Sequence, residues 1–315
     1  MHKGSLQFWQ RRRARGRLPR ARSAPKIKAA VPSNIVAYKV GMAHLGMVDD
    51  SEAPSKNTEI SVPCTILEVP KQEIYGARFY KMNGGYRKVM LELYASDAAK
   101  KLKYDKIKNS ESKLSDMEKA KDEIEDITVL VAAYPRGMSV EQHHPMKYEA
   151  HLGGSIDDKL GFVKEHLGKE LKVSDVVKSG EYVNVSTVTK GKGWQGTIKR
   201  FGTARLYHKA TNKVRHVGTL GPFTPGKVLF TVPQAGQLGF NYRTETNKRI
   251  LKIGSPSDSI NPKSGFANYG VVSNDYIIIK GSIGGPSKRL VRIRKSMRGE
   301  GTVKEPKINY ISILS

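Results

Sequence analysis

Apolar residues in this chain gather in short runs bounded by glycine, proline and asparagine. Ile35-Val36-Ala37-Tyr38-Lys39-Val40-Gly41-Met42 reads as a strand ending in a glycine turn, and Glu59 to Val69 as another. Pro63 within the second predicts an edge or a bulge, because proline cannot donate to a ladder. Arg78-Phe79-Tyr80 and Val89-Met90-Leu91-Glu92-Leu93 read as a hairpin around Asn83-Gly84-Gly85. Ile127 to Tyr134 is a buried strand stopped by Pro135. Ser155 to Leu167 predicts a helix, with Asp157 and Asp158 in the first turn, where the helix dipole favours them. Leu171 to Val177, Tyr182 to Thr189, Arg249 to Ile253, Gly270 to Val272, Tyr276 to Lys280 and Leu290 to Arg294 read as further strands. Many short strands at close spacing predict a mainly β chain built as a barrel or sandwich.

One region departs from this pattern by its helical spacing. Residues 95–126 are rich in Lys, Glu, Asp and Ala, with Leu102, Ile107, Leu114, Met117, Ile124 and Ile127 spaced for helices, and Ser115 with Glu118 suits a capping box. The mixed charge predicts a solvated helical insertion.

A second region departs by its charge. From Tyr182 to Thr244 there is no aspartate or glutamate, yet the stretch carries ten Lys/Arg, with His208, His216, Trp194, Phe201, Tyr207 and Phe223 between them. Spaced cations, flat side chains and glycines suit a surface of dense negative charge, which in a cell usually means nucleic acid. Its position between predicted strands makes the stretch an excursion from the β core. The first 34 residues are also basic, with Arg11, Arg12, Arg13, Arg15, Arg17, Arg20, Arg22, Lys26 and Lys28 and no acid before Asp49. Gly16, Pro19, Pro25 and Pro32 interrupt any helix, so this arm is expected to be disordered alone and to order on nucleic acid. A localisation signal is the competing reading of the cluster.

The whole chain of 315 residues has a formal charge of +26. That charge constrains partners rather than fold; an anionic membrane surface is the second reading after nucleic acid. The single Cys64 excludes an internal disulfide framework and a cysteine-rich zinc site, and its apolar run predicts a packed strand residue rather than a nucleophile. No apolar stretch approaches the roughly 20 residues that span a bilayer. Arginines near the N-terminus are followed by no apolar h-region, so an intracellular protein is expected.

Gly191-Lys192-Gly193-Trp194-Gln195-Gly196 matches G-x-G-x-x-G after a strand, but the next acid is Glu245, too far on for a ribose contact. No carboxylate lies near in sequence to hold magnesium for phosphoryl transfer. Backbone free to approach phosphates, with Trp194 free to stack, is the better reading. His143, His144 and His151 lack a cysteine partner, and Pro145 breaks helical spacing, which favours surface or RNA-facing histidines over a metal site. Gly221-Pro222-Phe223-Thr224-Pro225-Gly226 reads as a rigid turn holding Phe223 at a tip. No familiar hydrolase or Walker pattern occurs. An RNA-modifying enzyme on a basic barrel stays open as the alternative.

Several stretches resemble the universal large-subunit ribosomal protein L three family in its archaeal and eukaryotic form. They are Ala150-His151-Leu152-Gly153-Gly154-Ser155-Ile156, Val188 to Thr197, Lys199 to Thr203, Ala235 to Gly239, Tyr242-Arg243-Thr244 with Asn247, and Asn274 to Ile277. The resemblance implies a translation-protein-type β-barrel on the outer surface of the large subunit, with an N-terminal extension and a long internal finger running through rRNA toward the peptidyl-transferase centre. The matching divisions are a basic extension at 1–34 and a barrel domain at 35–315, with the helical insertion near 95–126 and the finger near 190–243. Residues expected to meet rRNA are Arg11, Arg12, Arg13, Arg15, Arg17, Arg20 and Arg22 of the arm, and Lys190, Lys192, Trp194, Lys199, Arg200, Arg205, His208, Lys209, Lys213, Arg215, His216, Phe223 and Arg243 of the finger. The family's finger-tip tryptophan matches Phe223, so a role needing an indole N–H is lost, and the position of the modified finger histidine of eukaryotic members matches Thr211. A structural, non-catalytic protein of the cytoplasmic ribosome is implied. Its expected partners are rRNA and neighbouring ribosomal proteins, with no membrane, no small-molecule substrate, and no cofactor or metal beyond Mg2+ carried by the RNA.

Overall fold

The structure is a computed structural model that describes residues 11–20, 23–25, 27–102, 121–224, 226–258, 260–297 and 304–312. Arg22, the Ser115/Glu118 capping box and most of the expected helical insertion lie outside the described residues. A helix at Ala98–Leu102 and a 3-10 turn at Lys121–Glu123 lie at its two ends.

Thirteen strands occur among the described residues. In chain order they are β1 (Asn34–Val48), β2 (Glu59–Glu68), β3 (Lys71–Asn83), β4 (Tyr86–Tyr94), β5 (Asp126–Tyr134), β6 (Met146–His151), β7 (Tyr182–Val188), β8 (Gly191–Gln195), β9 (Gly236–Gly239), β10 (Tyr242–Gly254), β11 (Tyr276–Lys280), β12 (Leu290–Lys295) and β13 (Ile308–Ser312). The largest sheet runs β12-β7-β10-β11-β2-β1-β13, and an added β12–β1 pairing closes six of these strands into a barrel. Closure is possible because β1 is long. Its first residues pair with β12 (Ile35 opposite Ile293), its length from Tyr38 onward pairs with β2, and its end also pairs with β13. The chain is therefore mainly β, as its short apolar runs predict.

The expected glycine turn at Gly41 is absent. The strand continues, and its register with β2 shifts between Lys39 and Gly41, so the glycine sits at a bulge that bends β1 around the barrel. Pro63 behaves as expected of an edge. β11 pairs with β2 only as far as Cys64, which leaves Pro63 opposite His44 of β1 alone within the ladders.

β4, β3, β5 and β6 form a second antiparallel sheet in that order. Its hairpin turns on Gly84-Gly85, both with positive φ, between paired Asn83 and Tyr86, as a tight two-residue turn requires. β5 is central, and Ile127 to Ala133 are all buried, which explains its unbroken apolar run. One continuous core joins β1, β2, β3, β5, β11 and β12 through residues such as Ile35, Ile66, Phe79, Val129, Ile278 and Ile293. Each such side chain contributes about 1.5–3 kcal/mol by leaving water.

Two further expectations fail locally. Leu171 to Val177 is no strand. Val173–Val176 is one helical turn, because Asp175 folds back to accept from the Lys172 backbone N–H at 3.2 Å. Gly270 to Val272 is a loop with one bridge from Phe266 to Gly270. Gly191–Gln195, read from sequence as backbone open to phosphates, forms strand β8. The helix over Ile156–His166 forms where expected, with Ser155 accepting from the Asp158 N–H and Asp158 from the Ser155 N–H.

The chain divides into two compact units. One holds Leu18–Thr187 and Thr244–Ser315; the other holds the chain up to Arg17 and Val188–Arg243.

Candidate nucleic-acid interface

The smaller unit is built on the two-stranded ribbon of β8 and β9, with Trp194 opposite Gln237. The ladder shifts register between Gly191 and Trp194, and Gly193 has φ 67° at the shift. The G-x-G-x-x-G stretch is thus a bulged strand. A Cβ at Gly193 or Gly196 would meet nothing, whereas one at Gly239 (φ 72°) would run into the Lys190 carbonyl. Phe240 donates its N–H to that carbonyl at 3.2 Å, and Thr189 N–H donates to Asn241 O at 3.0 Å.

A five-residue helix, Thr197–Phe201, follows β8 and ends at Gly202 in the left-handed region. Arg200 on this helix donates to Gln234 O at 2.7 Å and to Gln237 O at 3.2 Å. A Cβ on Gly236 would lie 2.7 Å from its guanidinium, so the glycine makes room for the arginine. Burial and the neighbouring Arg11 lower the Arg200 pKa. Arg200 is therefore partly spent on joining the two limbs of the excursion. Phe201 is likewise used internally, with the Arg200 guanidinium 5.0 Å and that of Arg11 5.5 Å from its ring centre.

The arm residues 11–17 run beside the returning limb. Ala14 N–H donates to Phe240 O at 2.7 Å, and Asn241 Nδ2 donates to Arg12 O at 2.8 Å. Gly16 N–H donates to the Tyr242 hydroxyl at 3.3 Å, and that hydroxyl lies 3.2 Å from Gly16 O. The arm thus has hydrogen-bonded neighbours within the chain. Phe240, Asn241 and Tyr242 are positioning residues that carry no charge signal, and they lie more than 220 positions from their partners.

Beyond Gly202 the excursion has little regular structure. Leu206 N–H donates to Val214 O at 3.0 Å across a 3-10 stretch, His208–Lys213, that is broken at Thr211 (φ 50°). The Tyr207 and His208 rings lie 4.0 Å apart, tilted. Of the described residues 189–243, only Thr197 and Gly236 are buried, so the excursion has no apolar core.

The charge distribution follows from this geometry. Residues 11–17 and 188–243 carry fifteen Lys/Arg and no acid, so no cation of the unit has a carboxylate within it. All fifteen are exposed except the half-buried Arg11 and Arg200. His208 and His216 are also exposed. Trp194 is 76 % and Phe223 98 % exposed. Of the residues named from sequence, Arg20 stands apart, in the larger unit.

In the larger unit the arm continues along the β6 end. Gly154 N–H donates to Ile27 O at 2.8 Å, Gly153 N–H to Val31 O at 3.2 Å and Ser33 N–H to His151 O at 2.8 Å. The paired glycines of Ala150 to Ile156 admit the arm, and Ser155 then caps the helix. His151 does not join His143 and His144. Its Nδ1 lies 3.9 Å from Asp126 Oδ2, and among the described residues no group of three His, Cys, Asp or Glu could hold a metal. Cys64 is fully buried, and burial pushes its thiol up to about 11, the state of an inert packing residue. No helix among the described residues is long and apolar enough to cross a membrane.

The Asn274 to Ile277 motif serves Glu68, a fully buried carboxylate. It accepts from Ser273 N–H at 3.0 Å, Asn274 N–H at 2.9 Å and Asn274 Nδ2 at 3.1 Å, and from the Tyr269 hydroxyl. Asn247, another matched position, has φ 55° and donates its N–H to Asn184 Oδ1 at 3.0 Å.

Sequence comparison places these features in one family. The model of ribosomal protein L3 matches residues 1–313. The chain belongs to the ribosomal protein L3 family. It is 41% identical to the large ribosomal subunit protein uL3 of Methanothermobacter thermautotrophicus, covering 99% of this chain and 96% of that protein. Identity to the protein of the same name from Methanocaldococcus jannaschii is 41%, and to that from Methanobrevibacter smithii 40%, each with 99% and 96% coverage. The closed barrel, the acid-free excursion and the matched motifs are thus features of an L3-family chain.

Proposed function

We propose that this L3-family chain is a structural, non-catalytic constituent of the large ribosomal subunit, held on large-subunit rRNA by its acid-free unit. The observation that carries this reading is the fifteen Lys/Arg of residues 11–17 and 188–243, nearly all exposed and without a single carboxylate among them. Ordinary solvated surfaces mix both signs. A one-signed surface repels itself and is stabilised when phosphates replace its counterions. The relatives, named as large ribosomal subunit proteins, point to the same partner.

Within this reading Lys190, Lys192, Lys199, Arg205, Lys209, Lys213, Arg215 and Arg243 pair with phosphates, as do the exposed arginines of the arm. Arg adds bidentate pairing and stacking to charge. Trp194 and Phe223 offer ring faces to unstacked bases. The excursion lacks a core and gains its order from surrounding RNA. It organises rRNA near the peptidyl-transferase centre and supports assembly, with chemistry left to the RNA and no cofactor of the protein's own. Neighbouring ribosomal proteins are its other partners, in the cytoplasm.

Sedimentation of the full chain with large subunits across a salt series tests this. Co-sedimentation in moderate salt, with release only at high salt, is expected. Free protein at the top of a moderate-salt gradient would sink the proposal.

A further inference from the structure

We propose that a groove in the larger unit, between Leu18–Arg20 and the β4-β3-β5-β6 sheet, is a separate phosphate-binding pocket. It rests on the reading of the chain as an RNA binder and adds a contact outside the acid-free unit. The groove holds about 610 Å³ and is lined by Arg20, Arg78, Arg87, Lys147, Arg292 and the carboxylate Glu149, among others. That volume suits a nucleotide-sized group.

Arg78 pairs with Glu92 at 2.6 Å and with Glu149 at 3.4 Å, and Arg87 pairs with Asp126 at 2.9 Å. Glu149 is committed as well, accepting from the Tyr80 hydroxyl at 2.5 Å and the Thr128 hydroxyl at 2.6 Å. Arg292 differs. It is 5 % exposed, and its Nε is buried without a hydrogen-bond partner. Its guanidinium lies 5.3 Å from the centre of the Tyr148 ring, and burial pulls its pKa below the ordinary arginine value.

Glu149 acts on Arg292 electrostatically but is shared with Arg78, Tyr80 and Thr128, and a buried charge with no ion-paired partner of its own is costly unless something supplies one. Arg20 and Lys147 are exposed on the same groove, so an anion there would be gripped from both sides. A phosphate group fits that demand: it offers several acceptor oxygens and matches the guanidinium fork. Tyr75 and Tyr80, also in the lining, provide ring surface for an attached base or sugar. The source of the phosphate is either an RNA backbone or a small free anion, and the experiment separates them.

The full chain, Arg292→Gln and Lys147→Gln are compared for binding a 12-nucleotide oligouridylate across a salt series. Loss of one phosphate contact lowers the slope of log K against log salt by about 0.7 for single strands. That drop in both variants assigns the groove to RNA backbone. In parallel, inorganic phosphate is added in a thermal-unfolding assay. An upward shift in the wild type that Arg292→Gln lacks, with slopes unchanged, assigns the groove to a free phosphate. If neither slopes nor phosphate response change, the groove holds only water and the proposal is overturned. Lys147 is exposed, so its variant carries the test should Arg292→Gln fail to fold. A wild type that does not bind the oligomer would refute the functional reading, leaving the phosphate assay to judge the pocket.

Discussion

Gly153→Ala adds one methyl group where the arm crosses the end of β6. Its φ lies outside the left-handed region, so alanine is conformationally allowed and any cost comes from crowding. The new Cβ would run into the Ala29 carbonyl oxygen and lie 2.6 Å from Ile27 Cβ and 2.8 Å from Ile27 O. Two of these three atoms are backbone oxygens, which cannot swing aside like a side-chain tip. The arm must lift instead, straining the Gly154–Ile27 and Gly153–Val31 hydrogen bonds. Overpacking costs about 1–3 kcal/mol, and each lost hydrogen bond about 1 kcal/mol. We expect the variant to be about 2–4 kcal/mol less stable in urea denaturation. Gly161→Ala is the matched control. It lies inside the helix Ile156–His166 with nothing near its Cβ, so it should gain about 0.5–1 kcal/mol. Protease should also cut residues 18–33 earlier in Gly153→Ala than in wild type. A variant as stable as wild type, with an equally protected arm, would refute the view that this glycine exists to seat the arm.

Two other predictions concern a half-buried carboxylate and an exposed ring. Asp126 receives Lys159 at 2.7 Å and Arg87 at 2.9 Å. Burial pushes its pKa up, but His151, Lys159 and Arg87 outweigh burial and hold it below the usual 3.8. The native state therefore binds this proton less readily than the unfolded state. The stabilisation is complete above the unfolded value and is lost as pH falls through the lower native one. Asp126→Asn should cost about 2–3 kcal/mol at pH 7, a partly exposed version of a broken buried pair. The gap to wild type should narrow in strong acid, and a gap unchanged on acidification would contradict the assignment. Phe223→Ala should leave stability within about 0.5 kcal/mol, since the ring is 98 % exposed. If it stacks on a base it should weaken RNA binding by about 1–3 kcal/mol, and a large drop in unfolding midpoint would show an unrecognised packing role.

The strands most easily read from sequence are those with continuous apolar runs, such as Ile127 to Tyr134 and Tyr276 to Lys280, because burial on both faces leaves no polar interruption. β6 is hard to read from sequence because Met146-Lys147-Tyr148-Glu149-Ala150-His151 carries charge on one face, and its histidine lies close in sequence to His143 and His144. β8 and β9 escaped because glycine-rich strands on a core-free ribbon have no apolar pattern. The apparent strand at Leu171 to Val177 shows propensity yielding to a side-chain hydrogen bond, that of Asp175. The charged character of the interface was legible because an acid-free stretch needs no structure to be noticed. The separate jobs of its residues were not. That Arg200 and Phe201 brace the excursion depends on Gln234, Gln237 and Arg11, and only the folded chain brings these together. Arg292 reads as an ordinary strand residue in sequence, since nothing there shows that it is buried.

We propose above that the acid-free excursion binds large-subunit rRNA through phosphates. Replacing Lys209, Lys213, Arg215 and Lys227 by glutamine tests it most directly, because all four are exposed and lie in the core-free part of the unit. The measurement is the salt dependence of binding to large-subunit rRNA. Unfolding of the larger unit should be unchanged, binding weaker at every salt concentration, and the slope shallower by about 3–4 for helical contacts. An unchanged slope would contradict the proposal and remove the excursion from the phosphate interface.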